Sequence, residues 1–156
     1  MRVINSPQPL VLDWFETVVF LAGSIENGTA KEWHQEVIDA CSNFDVTFVN
    51  PRRTTWDAND EQVLRKQIQW ELSALDACHV AFFYFQGDTL SPISLLELGK
   101  MSETGMDLIV VCEDDFWRKV NIEETILHQC DGRVSVHSTL QEGINDLRSL
   151  LTDAFA

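Results

Sequence analysis

The chain has 156 residues, 45% of them apolar, enough for one domain (1–156) with a substantial core and too few to suggest two. Twenty-five acidic residues against 11 basic ones leave a formal charge of −14. That charge opposes nucleic acid polymers and anionic membranes, and it favours small ligands held locally.

Residues 1–15 carry Pro7 and Pro9 and no long apolar run, so they read as an irregular N-terminal segment, neither signal peptide nor anchor. The apolar run Val18 to Ala22 is the first expected strand, and Gly23-Ser24-Ile25 after it is small enough to let a backbone approach a ligand. This loop matches neither the dinucleotide fingerprint nor the Walker P-loop, and a tight turn is the plainer reading. A helix is expected over Ala30 to Ser42 and a strand over Val46 to Val49. The loop that follows holds Pro51, Arg52 and Arg53, whose guanidinium groups could meet a phosphate, and Trp56, a candidate for stacking on a planar base. Trp33, Trp70 and Trp117 offer the same chemistry but suit packing better.

Helical spacing returns over Asn59 to Ala77, and Val80 to Phe85 is the longest apolar run, far below membrane-spanning length. Ser91 and Pro92 form a capping pair for a helix over Pro92 to Thr104. A strand at Leu108 to Cys112, a helix at Asn121 to Gln129, a weak strand at Arg133 to Val136 and a helix at Leu140 to Ala154 complete the series. Strands and helices in alternation predict a parallel sheet covered on both faces, with its ligand crevice beyond the carboxyl ends of the strands.

Two acids stand out in this frame. Glu97 lies in a helical stripe with Ile93 and Met101, and Glu71 borders the stripe of Ile68, Ala74 and Leu75. Carboxylates on apolar faces need a partner or a task, and a pair in unlike environments is the equipment of glycosidic cleavage. The competing reading puts Glu71 on Arg65 or Lys66 and Glu97 on Lys100 at the surface. No G-x-S-x-G elbow occurs, and no histidine is placed to activate Cys112. The four cysteines form no CxxC pair and the four histidines fall at no zinc-ligand spacing. Hence we expect reduced thiols in a cytoplasmic protein with neither metal nor cofactor.

The ordered set Phe20-Leu21-Ala22-Gly23-Ser24, Asn50-Pro51-Arg52-Arg53, Trp70-Glu71 and Glu97-Leu98-Gly99 resembles the nucleoside 2-deoxyribosyltransferase family, in its compact branch, which shares Phe116-Trp117-Arg118-Lys119-Val120-Asn121. The resemblance implies a flavodoxin-like three-layer α/β sandwich with a five-stranded parallel sheet. It also implies cleavage and transfer at the N-glycosidic bond of a nucleoside or nucleotide. Glu97 takes the place of the nucleophile and Glu71 that of the acid serving the base. Phe20, Gly23, Ser24, Pro51, Arg52, Trp56 and Ser91 are the expected substrate contacts. Phe20 stands where a tyrosine is usual, and Ser91 and Pro92 where acids contact the sugar, which leaves a hydrolase or a non-catalytic nucleotide-binding module as alternatives. Assembly as a homo-oligomer is also implied.

An ionised Glu97, favoured by the start of its helix, and a protonated Glu71 would be the working state.

Overall fold

The computed structural model describes the chain apart from residues 14, 27–29, 56, 58 and 155–156. In chain order the elements are β1 (Arg2–Asn5), β2 (Thr17–Gly23), α1 (Trp33–Ala40), β3 (Val46–Asn50), α2 (Glu61–Ala77), β4 (Val80–Phe85), α3 (Pro92–Ser102), β5 (Asp107–Cys112), α4 (Lys119–Cys130), β6 (Val136–His137) and α5 (Leu140–Ala154). All strand pairs are parallel, in the order β1-β3-β2-β4-β5-β6. The architecture is flavodoxin-like α/β.

The central strands are continuous apolar runs because both sheet faces are covered. Successive side chains point to opposite faces. Val18, Phe20 and Ala22 of β2 therefore join one core with Ala74 and Leu75 of α2, Leu98 and Met101 of α3, and Ile122 and Ile126 of α4. Val19 and Leu21 join the other with Trp33 and Val37 of α1 and Ile144 and Leu147 of α5. Helices α2, α3 and α4 thus form one outer layer, and α1 and α5 the second.

The sheet has six strands where sequence led us to expect five. The additional strand, β1, lies in the segment expected to be irregular. It pairs along β3 from Arg2 opposite Thr47 to Asn5 opposite Asn50, and only Ile4 of its four residues is buried. An edge strand this short is made by its neighbour rather than by local periodicity. The last strand also differs from expectation: Asp131 and Gly132 adopt positive φ in a turn, and pairing begins only at Val136.

Chain order reverses at β2, which is flanked by β3 on one side and β4 on the other. In such a sheet a ligand crevice is expected at the carboxyl ends of the strands beside the reversal, here β2 and β4. Here Gly23 is required: its φ is +141°, and a Cβ would lie 2.2 Å from the Tyr84 carbonyl oxygen.

Candidate active site

Both acids ride on helices that begin near this edge. Helix α2 starts cleanly because Asp60 caps it, its carboxylate accepting from the N–H groups of Gln62 at 2.9 Å and Val63 at 3.3 Å. Helix α3 starts with Pro92 in its first turn. Ser91, expected to cap it, does not. It sits in the left-handed region at φ 45°, and its hydroxyl lies 2.7 Å from that of Ser24 and 2.8 Å from that of Thr89. The carboxylate of Glu26 instead accepts from the N–H groups of Leu90 and Ser91, both at 2.9 Å.

The facing sides of α2 and α3 are defined by Lys100, which bonds to Asp76. Leu64, Ile68, Leu72 and Asp76 follow one another at four-residue intervals, while Ile93, Glu97 and Lys100 form the corresponding row on α3. Leu64, Ile68, Leu72 and Ile93 are exposed, whereas Glu71 and Glu97 are each half-buried. Two half-buried carboxylates thus lie on neighbouring helices beside exposed apolar side chains.

Neither acid takes the surface partner that was its alternative: Arg65 pairs with Glu61 and Lys100 with Asp76. Glu71 accepts a 2.8 Å hydrogen bond from Gln67 Nε2. Burial raises its pKa, and that bond draws it partly back. Glu97 is pushed up to about 8 by burial and then by the charge of Glu71, against a smaller pull from Lys100. This reverses the expectation that the helix start would keep Glu97 ionised. Glu97 is the sixth residue of α3, beyond the first turn in which the helix dipole acts. Two carboxylates so placed titrate as a coupled pair, each disfavouring the charge of the other.

The remaining candidates are divided. Pro51 is linked to the acids, since its carbonyl accepts from Gln67 Nε2 at 3.1 Å. Phe20 is fully buried on the same sheet face. Gly23 makes its close approach to the backbone of β4. Ser24 is fully buried, its hydroxyl occupied by Thr89, Ser91 and the Gln86 N–H. Arg52 turns towards the start of α1, donating to the carbonyls of Ala30 at 2.9 Å and Lys31 at 3.1 Å and pairing with Glu32 at 3.2 Å. Trp56 lies outside the described residues. Trp33 is a core residue whose indole donates to the Ser24 carbonyl, whereas Trp70 and Trp117 donate to the carbonyls of Gln8 and Leu90.

Gln67 and Ser6 were missed. Gln67 stands one helical turn before Glu71, a spacing that flags a side-chain pair. Ser6, which bonds to Gln67, has no sequence signal because the N-terminal segment reaches α2 only through the fold.

A groove of about 320 Å³ lies on the other side of α3, lined by Leu95, Leu98 and Gly99 against Trp117, Arg118 and Ile122 of the α4 region. It contains neither acid. Among the described residues no group of His, Cys, Asp or Glu is arranged to hold a metal, and no helix is long and apolar enough to cross a membrane.

No curated protein matches the chain. The family model described as "Nucleoside 2-deoxyribosyltransferase like" matches residues 16–116, a span that takes in β2 to β5 and both acids. On that match, which covers well over half its length, the chain belongs to the nucleoside 2-deoxyribosyltransferase-like family.

Proposed function

We propose that the protein cleaves the N-glycosidic bond of a nucleoside or nucleotide and transfers the sugar, with Glu97 as nucleophile and Glu71 as acid. A Glu97 oxygen bonds to C1′ as the electron pair of the C1′–N bond passes to the base, which takes its proton from Glu71. In the second step a new base, or water, attacks C1′ and gives a proton to the Glu71 carboxylate, and Glu97 departs as carboxylate. The observation that carries this reading is the pairing of the two acids across α2 and α3, desolvated and close enough for the charge of one to raise the pKa of the other.

Before reaction a proton must rest on Glu71, and not on Glu97, so that Glu97 can attack. A bound base that hydrogen-bonds to protonated Glu71 favours that arrangement. The exposed Leu64, Ile68, Leu72, Ile93 and Leu96 on α2 and α3 support a homo-oligomer in which a second copy covers this face and excludes water. All four cysteines are buried and unbridged, in keeping with a cytoplasmic protein.

Incubation with ribo- and deoxyribonucleosides and their 5′-phosphates, with and without a second base, is the test. Exchange of base indicates transfer, and free sugar indicates hydrolysis. Intact-mass analysis should detect an ester-linked sugar on the parent chain and none on Glu97→Ala. If no base is released or exchanged while Glu97→Ala binds nucleosides as the parent does, the protein is a binding module. Phe20, without a hydroxyl, and the mutual engagement of Ser24 and Ser91 favour that second reading.

A further inference from the structure

Gln67 is 5% exposed, and both ends of its side-chain amide are occupied. Its Nε2 donates to the Pro51 carbonyl at 3.1 Å and to Glu71 Oε1 at 2.8 Å. Its Oε1 accepts from the Ser6 hydroxyl and from Arg53 at 3.4 Å. Arg53 can only donate and a carbonyl can only accept, so the amide has one permissible orientation. The chain thereby joins the end of β1, the loop after β3 and helix α2 at one side chain.

We infer that Gln67 is a positioning residue that selects which oxygen of Glu71 carries the acid proton. An N–H hydrogen is always directed at Oε1, and a hydroxyl oxygen accepts such a bond more weakly than a carbonyl or carboxylate oxygen, so a proton on Oε1 would weaken the bond from Gln67 while a proton on Oε2 would not. The proton is therefore carried on Oε2, which accepts no hydrogen bond among the described residues. In the reaction proposed above, that proton passes from Oε2 to the departing base nitrogen, which receives the C1′–N electron pair, and Oε1 remains bonded to Gln67. The donor also steadies the carboxylate left behind, making Glu71 a stronger acid than burial alone would leave it. The charged groups near it are Glu97 on α3, which in turn feels Lys100, and Arg53, which acts through Gln67; Ser6 brings no charge from the N-terminal side.

The kinetic part of this inference rests on the glycosidic reading, but its titration part does not. Carbon-detected NMR titration of the Glu71 carboxyl in the full chain should show Gln67→Met binding the proton about threefold to tenfold more tightly than the parent. In the unaltered chain, one Gln67 amide proton should move with the Glu71 titration while the other, held by Pro51, stays still; this readout requires no variant to fold. With natural deoxynucleosides, Gln67→Met should lower kcat at least tenfold and change KM less than about twofold. With 4-nitrophenyl 2-deoxyriboside, whose leaving group needs no proton, it should change neither by more than about threefold. Glu71 titrating alike in parent and variant, amide protons that both ignore the titration, or equal slowing of the two substrates overturns the assignment. A parent chain that cleaves no nucleoside defeats the glycosidic reading alone, and the titrations still decide Gln67.

Discussion

Lys100 of α3 bonds to Asp76 of α2 about one helical turn beyond Glu97, so the same contact that links the two helices places a positive charge near Glu97. Both partners are substantially exposed, which keeps the contribution of the pair to folding below about 1 kcal/mol. Lys100→Met should therefore shift thermal unfolding little, while Glu97 titrates at higher pH because a favourable charge is gone. A Glu97 midpoint that stays put in an NMR titration would disprove this coupling.

The acid pair predicts a bell-shaped pH dependence of kcat/KM. In the proposed reaction the productive form holds one proton, so activity should fall on the alkaline side near the Glu97 value of about 8 and on the acid side above the ordinary carboxylate range. Glu71→Gln removes the opposing charge and should bring the Glu97 midpoint down. Steady-state rates between pH 4 and 10, beside NMR titration of the variant, measure both.

Stability should depend on the same group. The folded-state pKa of Glu97 lies above its ordinary value of 4.5, so the folded chain binds more protons than the unfolded one between them. This contribution is complete below about 4.5 and is lost as pH rises through about 8. Glu97→Gln, which needs no proton to stay neutral, should be more stable than the parent above pH 8, by an amount on the order of 3 kcal/mol. Urea unfolding at pH 5 and pH 9 checks the sign: the advantage of the variant must appear at the higher pH.

Gly23 should tolerate no side chain. Its φ of +141° and the 2.2 Å separation that a Cβ would have from the Tyr84 oxygen oppose backbone to backbone, where little can yield. Gly23→Ala is expected to cost about 2–4 kcal/mol and lower Tm by roughly 5–10 °C. Gly99→Ala is the control, because a Cβ there meets nothing within 4 Å. It should be neutral or slightly stabilising.

The exposed apolar residues of α2 and α3 predict the behaviour of surface variants. Leu72 and Leu96 are 41% and 72% exposed, so charge at either costs the folded monomer little. If a second copy covers this face as proposed, Leu72→Glu combined with Leu96→Glu should leave a monomer in sedimentation-velocity runs where the parent is larger, with Tm shifted by no more than a few degrees. An unchanged sedimentation coefficient would place the interface elsewhere.

The order of strands and helices was legible in sequence because β2, β4 and β5 are buried on both faces and their apolar runs are continuous, while the helices keep a 3.6-residue period. Glu71 and Glu97 were legible as acids on apolar stripes for the same local reason. Edge strand β1 was not, since its four residues owe their conformation to pairing with β3. The proton balance of the acids was not either: it is governed by burial, by their separation across two helices and by Gln67, none of which is a property of neighbouring residues. Ser91 shows the same limit. A helix-capping residue by its type, it is drawn instead into hydroxyl contacts with Ser24 and Thr89 that the close approach of β2 and β4 creates. Periodicity and residue type are local and survive in one dimension. Desolvation, charge coupling and the choice among hydrogen-bond partners fall off with distance in space, and only the folded chain specifies those distances.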